Sequence, residues 1–304
     1  MSMLEPDDFR PVTLDDKQVF ADHYQRYPPE HSDNTFANII CWNHYAHYCY
    51  ARKAGAIILS STIEGRTKFR PPLGPMNGGL LTDIIELCLE AGDDTPLVLI
   101  DSDAKEWLNQ EFPKLPLYPD RNYFEYVYLA SDLAMLPGRN YLGVRRQLNK
   151  FRKNCHPVVE TIDRENKAEV TEFLVQWCEW KNCEGEPFLF HEREAIMQAL
   201  DYLDTIGLSG ILIRVLGKVG AISLSEPLNA NTVVVHFEKG LPDCEGIYKA
   251  INAETAIRVM DNFRFINRES DMGVPGLREA KLRYHPHHLT EVYYAKREDL
   301  EVLL

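Results

Sequence analysis

Near the end of the chain, Asn267-Arg268-Glu269-Ser270-Asp271 runs through Met272-Gly273-Val274-Pro275-Gly276 into Leu277-Arg278-Glu279-Ala280-Lys281. Ionisable side chains of both signs (Arg268, Glu269, Asp271, Arg278 and Lys281) stand beside a backbone that Gly273 and Gly276 keep open. Glu269 and Asp271, alternating outward from a strand, suit a cationic amine, while Arg268, Arg278 and Lys281 suit a phosphate or an oxyanion. An internal ion-pair cluster that fixes a glycine-containing loop uses the same residue types and is the competing reading.

Upstream, Val233, Val235 and Phe237 alternate with Val234, His236 and Glu238, so strand periodicity puts His236 and Glu238 on one face. Acyl transfer from an ester needs a nucleophile, a group to take its proton, and donors aimed at the developing oxyanion. His236 and Glu238 are candidates for the base and for gripping an amino group, and Lys281 is a third catalytic candidate. Simple pairing of His236 with Glu238 on a solvated sheet face is the alternative. On the helix expected next, Tyr248, Asn252 and Thr255 fall near one stripe. Tyr248 and Asn252, with Asn267 and the charged residues of the later motif, are candidate substrate contacts; a capping or buried structural amide is the other role open to Asn252.

These residues need elements to hold them. Strands are expected over 208–216, 221–227 and 232–238, the first two joined by a hairpin turn at Gly217-Lys218, then a helix over 246–262 and strands over 264–267 and 291–296. Helices over 141–154, 167–182 and 192–206 precede them. Helix, helix, three antiparallel strands, helix, strand and then strand is the order expected of an N-acetyltransferase-like (GNAT) fold. The first half reads as a looser copy. It has a helix start at Thr13 and apolar runs over 36–42, 45–52 and 56–61 read as strands of one sheet, the first also as a helix end. A rigid Arg70-Pro71-Pro72-Leu73-Gly74-Pro75 loop, a helix over 79–91, a strand over 96–101, a helix over 103–112 and a strand over 123–129 follow. The expected fold class is therefore α/β (α+β), two tandem GNAT-like domains, each a mixed, mainly antiparallel sheet flanked by helices. The domains are placed at 1–138 and 139–304. A length of 304 residues favours two cores over one.

The net charge of −13 speaks against a general nucleic-acid binder. Between Arg139 and Lys153, however, the charged residues are all basic. Arg145, Arg146, Lys150, Arg152 and Lys153 wrap more than half of the expected helix. They make either a solvated linker helix or an electrostatic landing site for the acceptor stem of a tRNA or another polyphosphate, reading backbone and shape rather than bases.

No apolar run approaches the ~18 residues of a membrane span, and the first residues carry no signal-peptide core, so a cytoplasmic protein is expected. The seven scattered cysteines contain no Cys-x-x-Cys and read as buried free thiols. His285-Pro286-His287-His288 reads as a surface turn rather than a metal site, and P-loop, Gly-x-Ser-x-Gly and Gly-x-Gly-x-x-Gly motifs are missing. Neither a metal nor a cofactor is expected.

Taken together, Val235-His236-Phe237-Glu238-Lys239-Gly240, Glu245-Gly246-Ile247-Tyr248-Lys249-Ala250-Ile251-Asn252, and the segment from Asn267 to Lys281 resemble the C-terminal catalytic domain of bacterial phosphatidylglycerol lysyltransferase. They are more similar still to the stand-alone soluble proteins of that superfamily. Phe69-Arg70-Pro71-Pro72-Leu73-Gly74, Arg146-Gln147-Leu148-Asn149-Lys150-Phe151 and Tyr284-His285-Pro286 extend the likeness to nearly the whole chain. The resemblance implies a tandem GNAT fold and transfer of an aminoacyl group from a charged tRNA to a lipid headgroup. The membrane domain of that enzyme is not in this sequence, which leaves the acceptor open between a lipid headgroup and a small amine or hydroxyl. Two other functions compete: an acyl-CoA-dependent N-acyltransferase acting on a small amine, and a non-catalytic module that binds an amino acid or peptide. Against CoA, Leu241-Pro242-Asp243-Cys244-Glu245-Gly246 lacks the basic residue and second glycine of the Arg/Gln-x-x-Gly-x-Gly/Ala loop.

Overall fold

The computed structural model describes residues 4–303. In chain order the first elements are β1 (Arg10–Pro11), α1 (Lys17–Tyr24), α2 (Phe36–Ala46), β2 (Cys49–Lys53), β3 (Ala56–Ile63) and β4 (Arg66–Phe69). Next come α3 (Gly78–Ala91), β5 (Leu97–Ile100), α4 (Ser102–Glu111), β6 (Tyr118–Pro119), β7 (Glu125–Leu129), α5 (Ala130–Met135), α6 (Leu142–Cys155) and β8 (Val158–Thr161). They are followed by α7 (Lys167–Lys181), α8 (Pro187–Asp201), α9 (Leu203–Ile206), β9 (Ser209–Val215), β10 (Lys218–Pro227), β11 (Thr232–Gly240) and α10 (Ile247–Val259). The chain closes with β12 (Phe265–Ser270), α11 (Pro275–Leu282), β13 (His288–Thr290), β14 (Tyr293–Ala295) and α12 (Arg297–Leu300). Among the described residues, no helix is long and apolar enough to cross a membrane.

Contacts group the chain into two units. One holds the chain up to Glu125 together with Ser270–Val274 and the segment from Thr290 onward; the other holds Tyr126–Glu269 and Pro275–Leu289. The sequence cut at 138 and 139 assigned the stretch after Glu125 to the first half. In the structure β7 enters the second sheet, between β13 and β12, and carries that stretch with it.

The first unit has the sheet order β1-β2-β3-β4-β5-β14-β6. α3 starts where the Asn77 side chain accepts from Leu80 N, and it stops at Gly92, whose φ of +74° an L-residue resists. Its Leu80, Leu81, Ile84, Ile85 and Cys88 bury against Ile58, Phe69, Leu97 and Ile100. Each such aliphatic side chain contributes about 2 kcal/mol. The run over 36–42 is helical and not a strand. Thr35 caps α2 by accepting from Asn38 N, and a short apolar run carries no period that separates the two states.

The second unit has the order β13-β7-β12-β11-β10-β9-β8, mixed and mainly antiparallel, with β11 and β12 parallel. α10 lies on this sheet through Ile247, Ala250, Ile251 and Ala253, which meet Ile211, Ile213 and Ala221, while Leu148 and Phe151 of α6 pack beside it. Gly246 begins α10 at φ +97°; a Cβ there would sit 3.2 Å from both Gln147 O and Phe151 Cβ, so glycine is what lets α6 approach. Both sheets, with their flanking helices, form a tandem GNAT-like fold.

The cysteine expectation is corrected. Cys155 is bonded to Cys244 and Cys178 to Cys183, leaving Cys41, Cys49 and Cys88 as thiols. Scattered spacing hid the first pair because its members are 89 positions apart and meet only when α6 packs beside the start of α10. Alkylation of the unfolded, unreduced protein is expected to mark three cysteines by mass spectrometry, and seven after reduction. Seven before reduction would show that the bridges do not form.

Candidate functional site

β11 and β12 pair only from Thr232↔Phe265 to Val234↔Asn267. Beyond that point the strands carry on without a backbone ladder, and side chains bridge them. Against β10, Phe237 stands opposite Leu224 and Val235 opposite Ser225, so His236 is the extra residue of a β-bulge. Val233 and Val235 pack with Ala256 of α10, and past the bulge Glu238 reaches that same helix. His236 bonds instead to Glu226 and Glu269. The single face expected for His236 and Glu238 does not form, because one inserted residue reverses the parity of everything after it.

His236, whose side chain is 2% exposed, spends both ring nitrogens on carboxylates: Nδ1 on Glu269 Oε1 and Nε2 on Glu226 Oε1, each at 2.8 Å. Ionised carboxylates only accept, so both nitrogens donate and the ring is an imidazolium. Burial opposes that charge, but the hydrogen bonds that the ring donates to Glu226 and Glu269, with the charges of those carboxylates, outweigh it and push the pKa up to about 10. A ring so held has no free lone pair with which to take a proton. Glu269 departs from the extended backbone of its strand with φ +58°, so the outward alternation of Glu269 and Asp271 is also broken. The second oxygens of Glu226 and Glu269 have no hydrogen-bond partner among the described residues, and the Glu269 side chain is 29% exposed.

On the α10 side, Arg268 Nη2 donates to Glu238 Oε1 at 2.8 Å, and Asn252 Nδ2 donates to Glu238 Oε2 at 3.5 Å. With the Asn252 amide turned over, its oxygen accepts from Arg268 Nε and Nη1 at 3.0 and 3.1 Å, the assignment the donors around it favour. Burial opposes the Arg268 charge, yet Glu238 raises its pKa. The guanidinium lies 5.4 Å from the ring centroid of Tyr284, whose phenol burial pushes up to about 12. Lys281 Nζ, on α11, donates to the carbonyls of Arg268 (2.6 Å) and Glu269 (3.0 Å) and so clasps the end of β12.

The other sequence candidates spread out. Asn267 is buried, with its Oδ1 accepting from Glu269 N at 2.8 Å, which holds the turn of chain at Glu269. Asp271 is fully buried in the first unit, where it accepts from Arg121 Nη1 at 3.1 Å and from Gly273 N at 2.9 Å; it points away from the chemistry expected of it. Arg278 is half-buried on α11. That helix was expected as a glycine-containing loop; Pro275 at its start supplies the fixed φ of a first helical position. Tyr248 is exposed on α10, its hydroxyl accepting from Trp177 Nε1 at 3.4 Å. Of the basic residues on α6, Arg145 donates to the carbonyls of Leu136 and Gly138, Lys150 pairs with Glu245 and Arg152 with Glu254. Arg146 and Lys153 are exposed. Glu226 escaped the sequence reading; its one signal was being the single acid of its strand, next to its end.

No curated protein matches significantly by sequence. A conserved protein of unknown function from Bacteroides thetaiotaomicron shares 28% identity and a TM-score of 0.89, over 96% of this chain and 99% of that one. L-PGS from Bacillus licheniformis has the same fold at 12% identity and a TM-score of 0.66, over 95% and 93% of the two chains. FemX does so at 10% identity and a TM-score of 0.55, over 97% and 99%. Residues 24–296 match the family described as phosphatidylglycerol lysyltransferase, C-terminal, and the chain belongs to that family.

Proposed function

We propose that the chain transfers an aminoacyl group from a charged tRNA to an amine or hydroxyl acceptor. Family and fold point to an acyltransferase; the donor and the acceptor are the added step. The observation that carries it is the Glu226–His236–Glu269 bridge, in which two carboxylates share one imidazolium and each keeps an open oxygen. That is a site for an ammonium, the group an aminoacyl ester has and an acetyl thioester lacks. The acceptor attacks the ester carbonyl carbon, the bond to the ribose oxygen breaks, and the proton lost by the acceptor ends on the leaving ribose hydroxyl. Glu269 is the relay for that proton, and Lys281, held on the carbonyls of Arg268 and Glu269, supplies positive charge for the oxyanion.

The start of α10 supports a donor other than acyl-CoA. A pyrophosphate would need bare N–H groups and positive charge there. This chain offers Asp243 and Glu245, and lays Phe151 of α6 against Gly246. Arg146 and Lys153 on α6 are the proposed contacts to tRNA phosphates.

The test is to incubate the protein with a pool of charged tRNAs, acyl-CoAs, lipid and metabolite extract, and to follow which donor is consumed. Loss of aminoacyl-tRNA with a new aminoacylated product is expected, and exchange of Arg146 and Lys153 for glutamate should weaken RNA retention at low salt. Consumption of acyl-CoA instead, or neither transfer nor RNA retention, would sink the proposal.

A further inference from the structure

Arg70 of the first unit is 3% exposed, in the stiff loop that follows β4. Its Nη1 donates to two neutral acceptors, Asp33 O and Asn34 Oδ1, both at 2.7 Å. Its Nε is buried without a hydrogen-bond partner, and among the described residues no carboxylate forms an ion pair with it. The guanidinium faces Tyr48, 5.2 Å from the ring centroid. Burying an unpaired guanidinium costs several kcal/mol, and a buried donor with no acceptor adds about 1–3 more. The two bonds from Nη1 fasten the loop to Asp33 and Asn34 but leave the charge without a counter-ion.

The surroundings describe what would offset it. The Nε edge of a guanidinium is a planar fork that matches a carboxylate. Asp33, whose backbone oxygen Arg70 holds, carries a half-buried carboxylate that accepts from Asn38 Nδ2 at 3.3 Å; Asp33 and Arg70 both act on the Tyr48 phenol, and Asp33, Tyr45 and Tyr48 on that of Tyr123. Burial, then Asp33, Asp120 and the neighbouring phenols, push the Tyr123 hydroxyl up to about 12, so it stays a neutral donor. Tyr123 is exposed and Tyr45 half-buried, so the cluster reaches the surface.

We propose that the first unit binds a free α-amino acid at this cluster, the carboxylate on the Nε edge of Arg70 and the ammonium on Asp33. It is a site apart from the Glu226–His236–Glu269 bridge. A free carboxylate distinguishes its ligand from an aminoacyl ester, which has none.

The experiment is thermal shift followed by titration calorimetry on the full chain, with the twenty free amino acids, their amides, and acetate as probes. At least one free amino acid should raise the melting temperature, while its amide, which lacks the carboxylate, should not. Arg70→Lys should weaken that binding by about tenfold or more, since a point charge replaces the fork; Glu269→Gln should leave it unchanged. No shift with any free amino acid, equal shifts with acid and amide, or loss in Glu269→Gln with retention in Arg70→Lys would each overturn the proposal. The acid-against-amide comparison uses the unaltered protein, so it decides even if Arg70→Lys fails to fold.

Discussion

Replacing His236 by glutamine is expected to destabilise the protein by about 3–5 kcal/mol, the cost of stripping the cation from a buried ion cluster. Glu226 and Glu269 would then face one another across a neutral amide, each having lost the partner 2.8 Å away. Adding Glu226→Gln to His236→Gln should recover part of the loss, because the repulsion goes with the second carboxylate; chemical denaturation of the two variants measures both. The same bridge predicts the pH dependence. Folded, His236 holds its proton up to about 10, against an ordinary 6.5. Between those values the folded state binds more protons than the unfolded one, so stability declines as pH rises. The contribution is complete below about pH 6.5 and gone above about pH 10. The decline should flatten in His236→Gln, and a decline of undiminished slope in the variant would place its source elsewhere.

Glu269→Gln is expected to lower the transfer rate by about 10²–10³-fold, in the range of a lost proton-transfer group, with the fold retained. The amide oxygen still accepts from His236 Nδ1, so the bridge keeps its shape while the open oxygen loses its charge. Glu238→Gln should behave differently. Glu238 Oε1 is already engaged by Arg268, so its loss leaves the Arg268 guanidinium buried without a counter-ion and shows first as lost stability. Single-turnover transfer with circular dichroism melts separates the two outcomes. A Glu269→Gln enzyme of full rate would remove that carboxylate from the chemistry.

Much of the framework was legible from periodicity. The helix over 167–182 and the three strands between 208 and 240 show strong periods and lie where expected. What was not legible has local causes. The bulge at His236 depends on how β11 registers against β10, which no pattern within β11 encodes. α11 was hidden because eight residues opened by Pro275-Gly276 show the composition of a turn. The charges of the last motif were recognised as a set, but their division was not. Glu269 turns to His236 through a left-handed backbone and Asp271 turns to Arg121, a partner 150 positions away. Glu226 joined the site only through the fold, for its partner lies on the next strand.

β14 lies inside the first sheet, between β5 and β6, although it is made from nearly the last residues of the chain. The N-terminal unit is consequently not the first to be finished on the ribosome. Its sheet keeps an unfilled slot until β14 is made, and Arg121 waits for Asp271, 150 positions later. The second unit has its strands from β7 to β12 in hand before that slot can close, so the half that is translated later is the one equipped to fold earlier.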